Sequence, residues 1–279
     1  MGEAKRKRAV GFDRKLVSEW EANRCVNFAC ALARKTGWLL HVDWLGSDLG
    51  QACLKTKSPP VSPPVEEMVP LRAYVGDDND AIFDLRGTFS IIDFVDRVIN
   101  PLARVTGRGY CGVFTKMYDE DQVIGMRNLL EYDEIKVEEA LTFLGSNCPF
   151  TKFIPVRQTP CLPAKAAATH AWGRCAVYAE ALSAFRNALP VALIIEEHKN
   201  YAGLSSIGYT HSFCVYPDGT GEDSWGRFPI QRIANRYHAN RWYLNAERHQ
   251  TVVRNMREED PSGYEKAYLE ADTLIRMYC

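Results

Sequence analysis

The sequence predicts an α+β chain built as two similar domains, each a helix followed by a small, largely antiparallel sheet. Two observations carry that expectation. One pattern is written twice, first as Arg24-Cys25-Val26-Asn27-Phe28-Ala29-Cys30-Ala31-Leu32 and again as Arg174-Cys175-Ala176-Val177-Tyr178-Ala179-Glu180-Ala181-Leu182. Each copy is followed by a second matching stretch: Arg72-Ala73-Tyr74-Val75 with Asp84, Gly87, Phe89 and Ile91, then His211-Ser212-Phe213-Cys214 with Asp223, Gly226, Phe228 and Ile230. Offsets agree residue for residue within each stretch, and only the connection between stretches differs in length. A period this long implies tandem domain duplication, not a solenoid or propeller, and 279 residues accommodate two ordinary domains. The chain then divides into a basic N-terminal tail (1–14), a first copy (15–150), a linker (151–164) and a second copy (165–279).

The elements follow from periodicity. Ser18 to Lys35 reads as a helix, with Cys25 within it or at a break near Asn23, because Ala22, Cys25, Val26, Phe28, Ala29, Leu32 and Ala33 form an apolar stripe. Leu39 to Leu45 is a short apolar run, read as a strand. Lys57 to Pro64 is proline-rich and excludes both helix and central strand. Val69 to Val75 and Ala81 to Leu85 form a hairpin around an acidic turn, and Ile91 to Val105 and Asp121 to Leu144 are helical by period. In the second copy, Cys148 to Pro163 is linker, Ala176 to Leu189 helix and Val191 to Ile195 strand. His211 to Tyr216 and Glu222 to Trp225 form a hairpin through Pro217-Asp218-Gly219, and Ile230 to Tyr237 and Gly263 to Met277 are helices.

Composition narrows the function. Hydrophobic residues make up 46% of the chain, enough for a core in each half, and a formal net charge of −1 argues against a general nucleic-acid or membrane-surface binder. The basic run Lys5-Arg6-Lys7-Arg8 is the one place where a nucleic-acid contact is conceivable. Nine scattered cysteines without a C-x-x-C pair suggest free thiols in a reducing compartment, and no apolar run is long enough to span a membrane. The expected location is the cytoplasm, with secretion as an effector left open.

The second copy carries the residues of a thiol nucleophile. Cys175 sits where Trp172-Gly173-Arg174 leads into a helix, whose N-terminus favours a thiolate and offers backbone N–H groups to an oxyanion. Gly173 leaves room for a substrate carbonyl. If the hairpin loop is centred on Asp218, Asp223 lies opposite Phe213, one same-face step from His211. Asp223 then accepts the Nδ1–H of His211 and leaves Nε2 facing the thiol, which is the logic of a nucleophile, base and orienter. The first copy places Cys25, Arg72 and Asp84 at the corresponding positions. Arginine does not give up its proton, so Arg72 is no base; an Arg72–Asp84 ion pair is expected, with Cys25 an ordinary packed thiol.

Asp223-Ser224-Trp225-Gly226 and Gly173-Arg174-Cys175 resemble the Asn-Ser-Trp-Gly and Gly-Ser-Cys motifs of the papain-like and transglutaminase-like cysteine hydrolases. The resemblance covers roughly residues 169–226. It implies a papain-like fold in each half and a cysteine-dependent amide hydrolase or acyltransferase: a peptidase, deamidase or transglutaminase-like enzyme acting on a protein or peptide without a cofactor. It also implies a catalytic Cys175–His211–Asp223 triad with Trp225 covering the His–Asp hydrogen bond. The family's upstream oxyanion glutamine is missing here; Thr169 or His170 would substitute, or backbone alone would serve. Ala176 replaces the usual tryptophan after the nucleophile, and the connection from Cys175 to His211 is short. The alternative is a non-catalytic peptide- or protein-binding protein that reuses the fold. A zinc site from Cys175, His211 and Cys214 is disfavoured because close ligand pairs are missing. His170, His198, His238 and His249 have no partner pattern and read as surface or satisfied residues, while Arg24 and Arg174 read as structural.

Overall fold

The computed structural model describes residues 24–47, 64–106, 110–146, 154–157, 162–199 and 208–279. The chain divides into two compact units, Met1–Arg157 and Gln158–Cys279. Among the described residues the fold is mixed α and β, with two five-stranded antiparallel sheets, one in each unit. No helix among them is long and apolar enough to cross a membrane.

In the first unit, α1 (Cys25–Thr36) begins at the cysteine and ends at Gly37 in the left-handed region. It leads into β1 (Leu39–Ser47), then β2 (Met68–Gly76), β3 (Ala81–Asp84) and β4 (Gly87–Ser90). Two short helices, α2 (Ile91–Phe94) and α3 (Asn100–Thr106), are joined by a π-helical turn, Val95–Ile99. Strand β5 (Tyr110–Tyr118) and helices α4 (Glu120–Gly125) and α5 (Glu134–Gly145) follow. The strand order is β4-β3-β2-β1-β5.

The second unit opens with α6 (Ala164–Ala171) and α7 (Cys175–Arg186), which ends at Asn187, again left-handed. Strands β6 (Leu189–His198), β7 (Gly208–Val215), β8 (Thr220–Asp223) and β9 (Gly226–Pro229) come next. Helix α8 (Ile230–Arg236), strand β10 (Ala239–Asn245) and helices α9 (Ala246–Glu259) and α10 (Pro261–Tyr278) complete it. The strand order β9-β8-β7-β6-β10 is the same as in the first unit.

The agreement reaches the register. Leu39 pairs with Gly76 and Leu189 with Val215; Val75 pairs with Phe83 and Cys214 with Glu222. Asp84 faces Gly87 and Asp223 faces Gly226 across tight turns, and both glycines have positive φ, +136° and +120°, which disfavours any other residue. Each sheet has a bulge at the matching place: Leu71 is passed over between Arg72 and Pro70, and Thr210 between His211 and Tyr209. A bulge twists the strand and re-aims the neighbouring side chain, and here the neighbours are Arg72 and His211.

One face of the second sheet buries Val191, Leu193, Ile195 and Phe213 against Ile233, Ala234 and Tyr237. Helix α7 packs Ala176 and Val177 against Val253, Tyr264 and Ala267 of α9 and α10. Cys175 therefore starts a helix whose direction is fixed by packing.

Several expectations are corrected. The single helix over Asp121 to Leu144 is broken by turns between Gly125 and Glu134, where Asp133 caps the new helix by accepting the Ile135 N–H. Helix α7 stops at Arg186, so Leu189 is strand, and β8 stops at Asp223, so Ser224 and Trp225 form a turn. Strands β4, β5, β9 and β10 and helices α6 and α9 were not anticipated. The N-terminal tail, Ser18 to Asn23 and all but the last residue of the proline-rich stretch lie outside the described residues, as does much of the expected linker.

Candidate active site

Cys175 is the first residue of α7, preceded by Gly173 at φ +84°, with open space where its side chain would be. The loop is pinned by Arg174, whose guanidinium reaches Glu270 of α10 at 2.8 Å. Arg24 makes the analogous pair with Glu131 at 2.9 Å, so both arginines are anchors.

His211 and Asp223 are both buried, and His211 Nε2 lies 3.1 Å from Asp223 Oδ2. Extending the register Cys214↔Glu222 by one residue sets Phe213 opposite Asp223, with His211 one step away on the same face. The ring is turned opposite to expectation. Nε2 meets the carboxylate, and Nδ1, which has no hydrogen-bond partner of ordinary geometry among the described residues, is left for the thiol. Asp223 is itself fixed: its Oδ1 accepts the Trp225 backbone N–H at 2.9 Å, and Oδ2 is paired with the buried Arg236 guanidinium of α8.

The electrostatics follow from these contacts. Burial alone would raise the Cys175 thiol, but hydrogen bonding and charge from His211, with help from Tyr209, bring it down from 9.0 to about 7. Burial would lower His211, but Asp223 and the Cys175 thiol raise it from 6.5 to about 9. A thiolate–imidazolium pair is thus favoured between those values. Asp223 is held down at about 2, because the Arg236 charge and the His211 hydrogen bond outweigh its burial.

No family model matches this sequence, and no curated protein and no solved structure matches it. The site is therefore read from its own geometry.

Other expected site residues are placed as follows. The Thr169 hydroxyl donates to Lys165 O at 2.9 Å, one turn back in α6, and is not available to an oxyanion. His170 is buried against Tyr178, neither nitrogen having a hydrogen-bond partner among the described residues, and burial lowers its pKa. Trp225 supplies a backbone N–H to Asp223; the ring lying over His211 is Tyr237, at 4.6 Å between centroids, with Trp172 edge-on beyond it. Cys214 faces the other way and donates to Ala179 O at 3.2 Å, and no three ligands close enough for a metal occur among the described residues.

In the first unit, Arg72 Nε meets Asp84 Oδ2 at 2.6 Å, both side chains fully buried, and the Cys25 sulfur accepts the Ala73 backbone N–H at 3.0 Å. The Arg86 N–H binds Asp84 Oδ1 as Trp225 N–H binds Asp223. Arg236, Tyr237 and Tyr209 escaped sequence reasoning. Arg236 could have been suspected from Arg97, which stands at the same offset in the first unit but is exposed in the π-helical turn beside Asp93.

The Asp223 shift has a consequence for stability. Its pKa is depressed from 3.8 to about 2, so its contribution is complete above 3.8 and is lost as pH falls through about 2. The Cys175–His211 pair adds little slope from about 7 to about 9, since folded and unfolded forms each hold one proton there. Thermal unfolding followed across the acid range is expected to show a steep loss of second-unit stability below pH 3.8 that Asp223→Asn flattens.

Proposed function

We propose that the second unit is a papain-like cysteine hydrolase or acyltransferase acting on an amide or thioester of a protein or peptide through Cys175, His211 and Asp223. The observation that carries this reading is that one buried imidazole is held by a carboxylate at one nitrogen while its other nitrogen is left for a thiol at a helix N-terminus. The Cys175 thiolate attacks the carbonyl carbon, and backbone N–H groups at the start of α7 receive the oxyanion. His211 gives its Nδ1 proton to the leaving amine, and the acyl group remains on sulfur as a thioester. His211 then takes a proton from water or an acceptor amine, which displaces the thiolate. Asp223 keeps the Nε2 proton in place throughout, and Arg236 keeps Asp223 ionised. No cofactor enters these steps.

The shared strand order, register, bulges and left-handed helix caps support a tandem duplication in which the first unit has exchanged its histidine for Arg72 and serves as scaffold or substrate platform. A second reading, a peptide-binding protein without catalysis, is favoured by one observation: Cys175 is only 7% exposed.

Iodoacetamide separates the two. Under the enzyme reading, peptide mapping finds Cys175 alkylated at neutral pH ahead of Cys25, Cys30 and Cys214, with a rate that rises through about 7. The Cys30 and Cys214 thiols are both raised by burial and remain unreacted. An inert Cys175 would leave the binding reading.

A further inference from the structure

From Cys175 runs a chain of hydrogen-bonding groups that the triad does not use. The Cys175 sulfur lies 3.4 Å from Tyr209 Oη, which lies 3.1 Å from Ser212 Oγ. Ser212 Oγ is 3.0 Å from His249 Nδ1, and His249 Nε2 is 2.9 Å from Glu180 Oε1. Ser212 and His249 are buried, while the Glu180 side chain retains 18% exposure. These residues come from α7, β7 and α9, so packing of the three elements is what assembles the chain.

We propose that His249 and Glu180 form a second imidazole–carboxylate dyad, wired to the Cys175 thiol through the hydroxyls of Ser212 and Tyr209, which positions the sulfur and helps to remove its proton. This rests on the reading of Cys175 as a nucleophile. Hydrogens fit the chain in one direction without conflict. The thiol donates to Tyr209, Tyr209 to Ser212, Ser212 to His249 Nδ1, and His249 Nε2–H to Glu180. Moving each of the first three protons one place along breaks the S–H bond and forms an N–H bond at Nδ1. The products are a thiolate accepting from Tyr209 and an imidazolium against the Glu180 carboxylate. No electrons change hands, and when the thiol's proton goes to His249, His211 takes from solvent the Nδ1 proton that it later gives to the leaving amine.

The first unit argues that the chain is not there to hold the fold. At the matching positions it has Pro70 for Tyr209, Ala73 for Ser212 and Cys30 for Glu180. Yet it has the same strand order, the same bulge and the same backbone N–H donated to its cysteine. Buried polar chains are costly unless fully satisfied, and the unit with Arg72 in place of His211 lacks the side chains to build this one. The charged and titratable groups facing the dyad are Arg257, whose guanidinium is 3.4 Å from Glu180 Oε2, and Tyr264, 2.9 Å from the same guanidinium. Arg248 acts on Tyr209 from α9, and His211 acts on the sulfur itself, backed by Asp223 and Arg236.

The test is the pH dependence of Cys175 alkylation by iodoacetamide in the full chain. Tyr209→Phe and Ser212→Ala delete single hydroxyls, and each is expected to raise the midpoint by about one unit and slow alkylation roughly tenfold below it. Ser212→Thr keeps the hydroxyl and restores the profile. His249→Gln, which cannot accept the proton, shifts it as Ser212→Ala does. A merely structural role would lower the melting temperature of these variants and leave the midpoint in place. Because Tyr209 also bonds the sulfur directly, the deciding variants are Ser212→Ala and His249→Gln: if the midpoint stays put in both while Tyr209→Phe and His211→Ala move it, the wire is refuted and the triad stands. A wild-type Cys175 that does not react refutes both.

Discussion

Cys175→Ala is expected to abolish acyl transfer or hydrolysis, by roughly a thousandfold or more, while the melting temperature moves by only a few degrees. On the proposed mechanism the loss is that large because the sulfur is the atom that bonds to substrate, and no remaining group at the start of α7 would replace it. The small structural cost follows from what is removed: one atom that accepts from Ser212 and touches Tyr209, with no branched side chain lost from the core. Cys25→Ala serves as the matched comparison, since its thiol is packed in the same way against the Ala73 N–H. Turnover is measured with peptide amide, ester and thioester substrates. Activity surviving in Cys175→Ala would place the chemistry elsewhere.

The second large effect is expected in the first unit. Arg72 and Asp84 are a fully buried ion pair at 2.6 Å. Arg72→Met removes one charge and leaves the other in the core, which costs about 3–5 kcal/mol. Adding Asp84→Asn to Arg72→Met should recover much of that loss, because the remaining amide oxygen can still accept the Arg86 N–H. Hydrogen exchange in β2 and β3 reads the change locally. Equal protection in the wild type and Arg72→Met would show that the pair contributes nothing to stability.

What the sequence revealed, and what it hid, divides along physical lines. Cys175, His211 and Asp223 were legible because they recur at fixed offsets against Cys25, Arg72 and Asp84, but the hairpin register stayed open between Asp223 opposite Phe213 and Asp223 opposite Cys214 until the pairing of Cys214 with Glu222 set the first. The orientation of the His211 ring was not legible, because a residue pattern does not say which ring nitrogen meets a carboxylate, and Arg236 was not, because its helix carries no motif. His249 read as a surface or satisfied residue because no partner pattern surrounds it; its packing against α7 and β7 shows that it is the second, fully buried and bonded at both nitrogens. Strand β10, Ala239–Asn245, lies at a sheet edge, so its side chains alternate weakly between burial and solvent and gave little periodic signal. Tyr237 was missed as the cover of His211 because the tryptophan in the motif drew attention to the turn instead.

The buried arginine of the first unit also bears on whether that unit could accept a base at the same position. In the second unit the carboxylate has two supports, an imidazole from β7 and a guanidinium from α8. In the first, Arg72 supplies the cation from the strand, while Arg97 is turned outward by the π-helical segment and bound to Asp93. A change of Arg72 to histidine would therefore leave Asp84 without the guanidinium that keeps its counterpart ionised. Installing a base there needs a further event, recapture of Arg97 from Asp93 and the π-helical turn. The route passes through a protein with an under-compensated charge in its core. An arginine at this position therefore resists replacement by histidine, because the intermediate carries a folding cost.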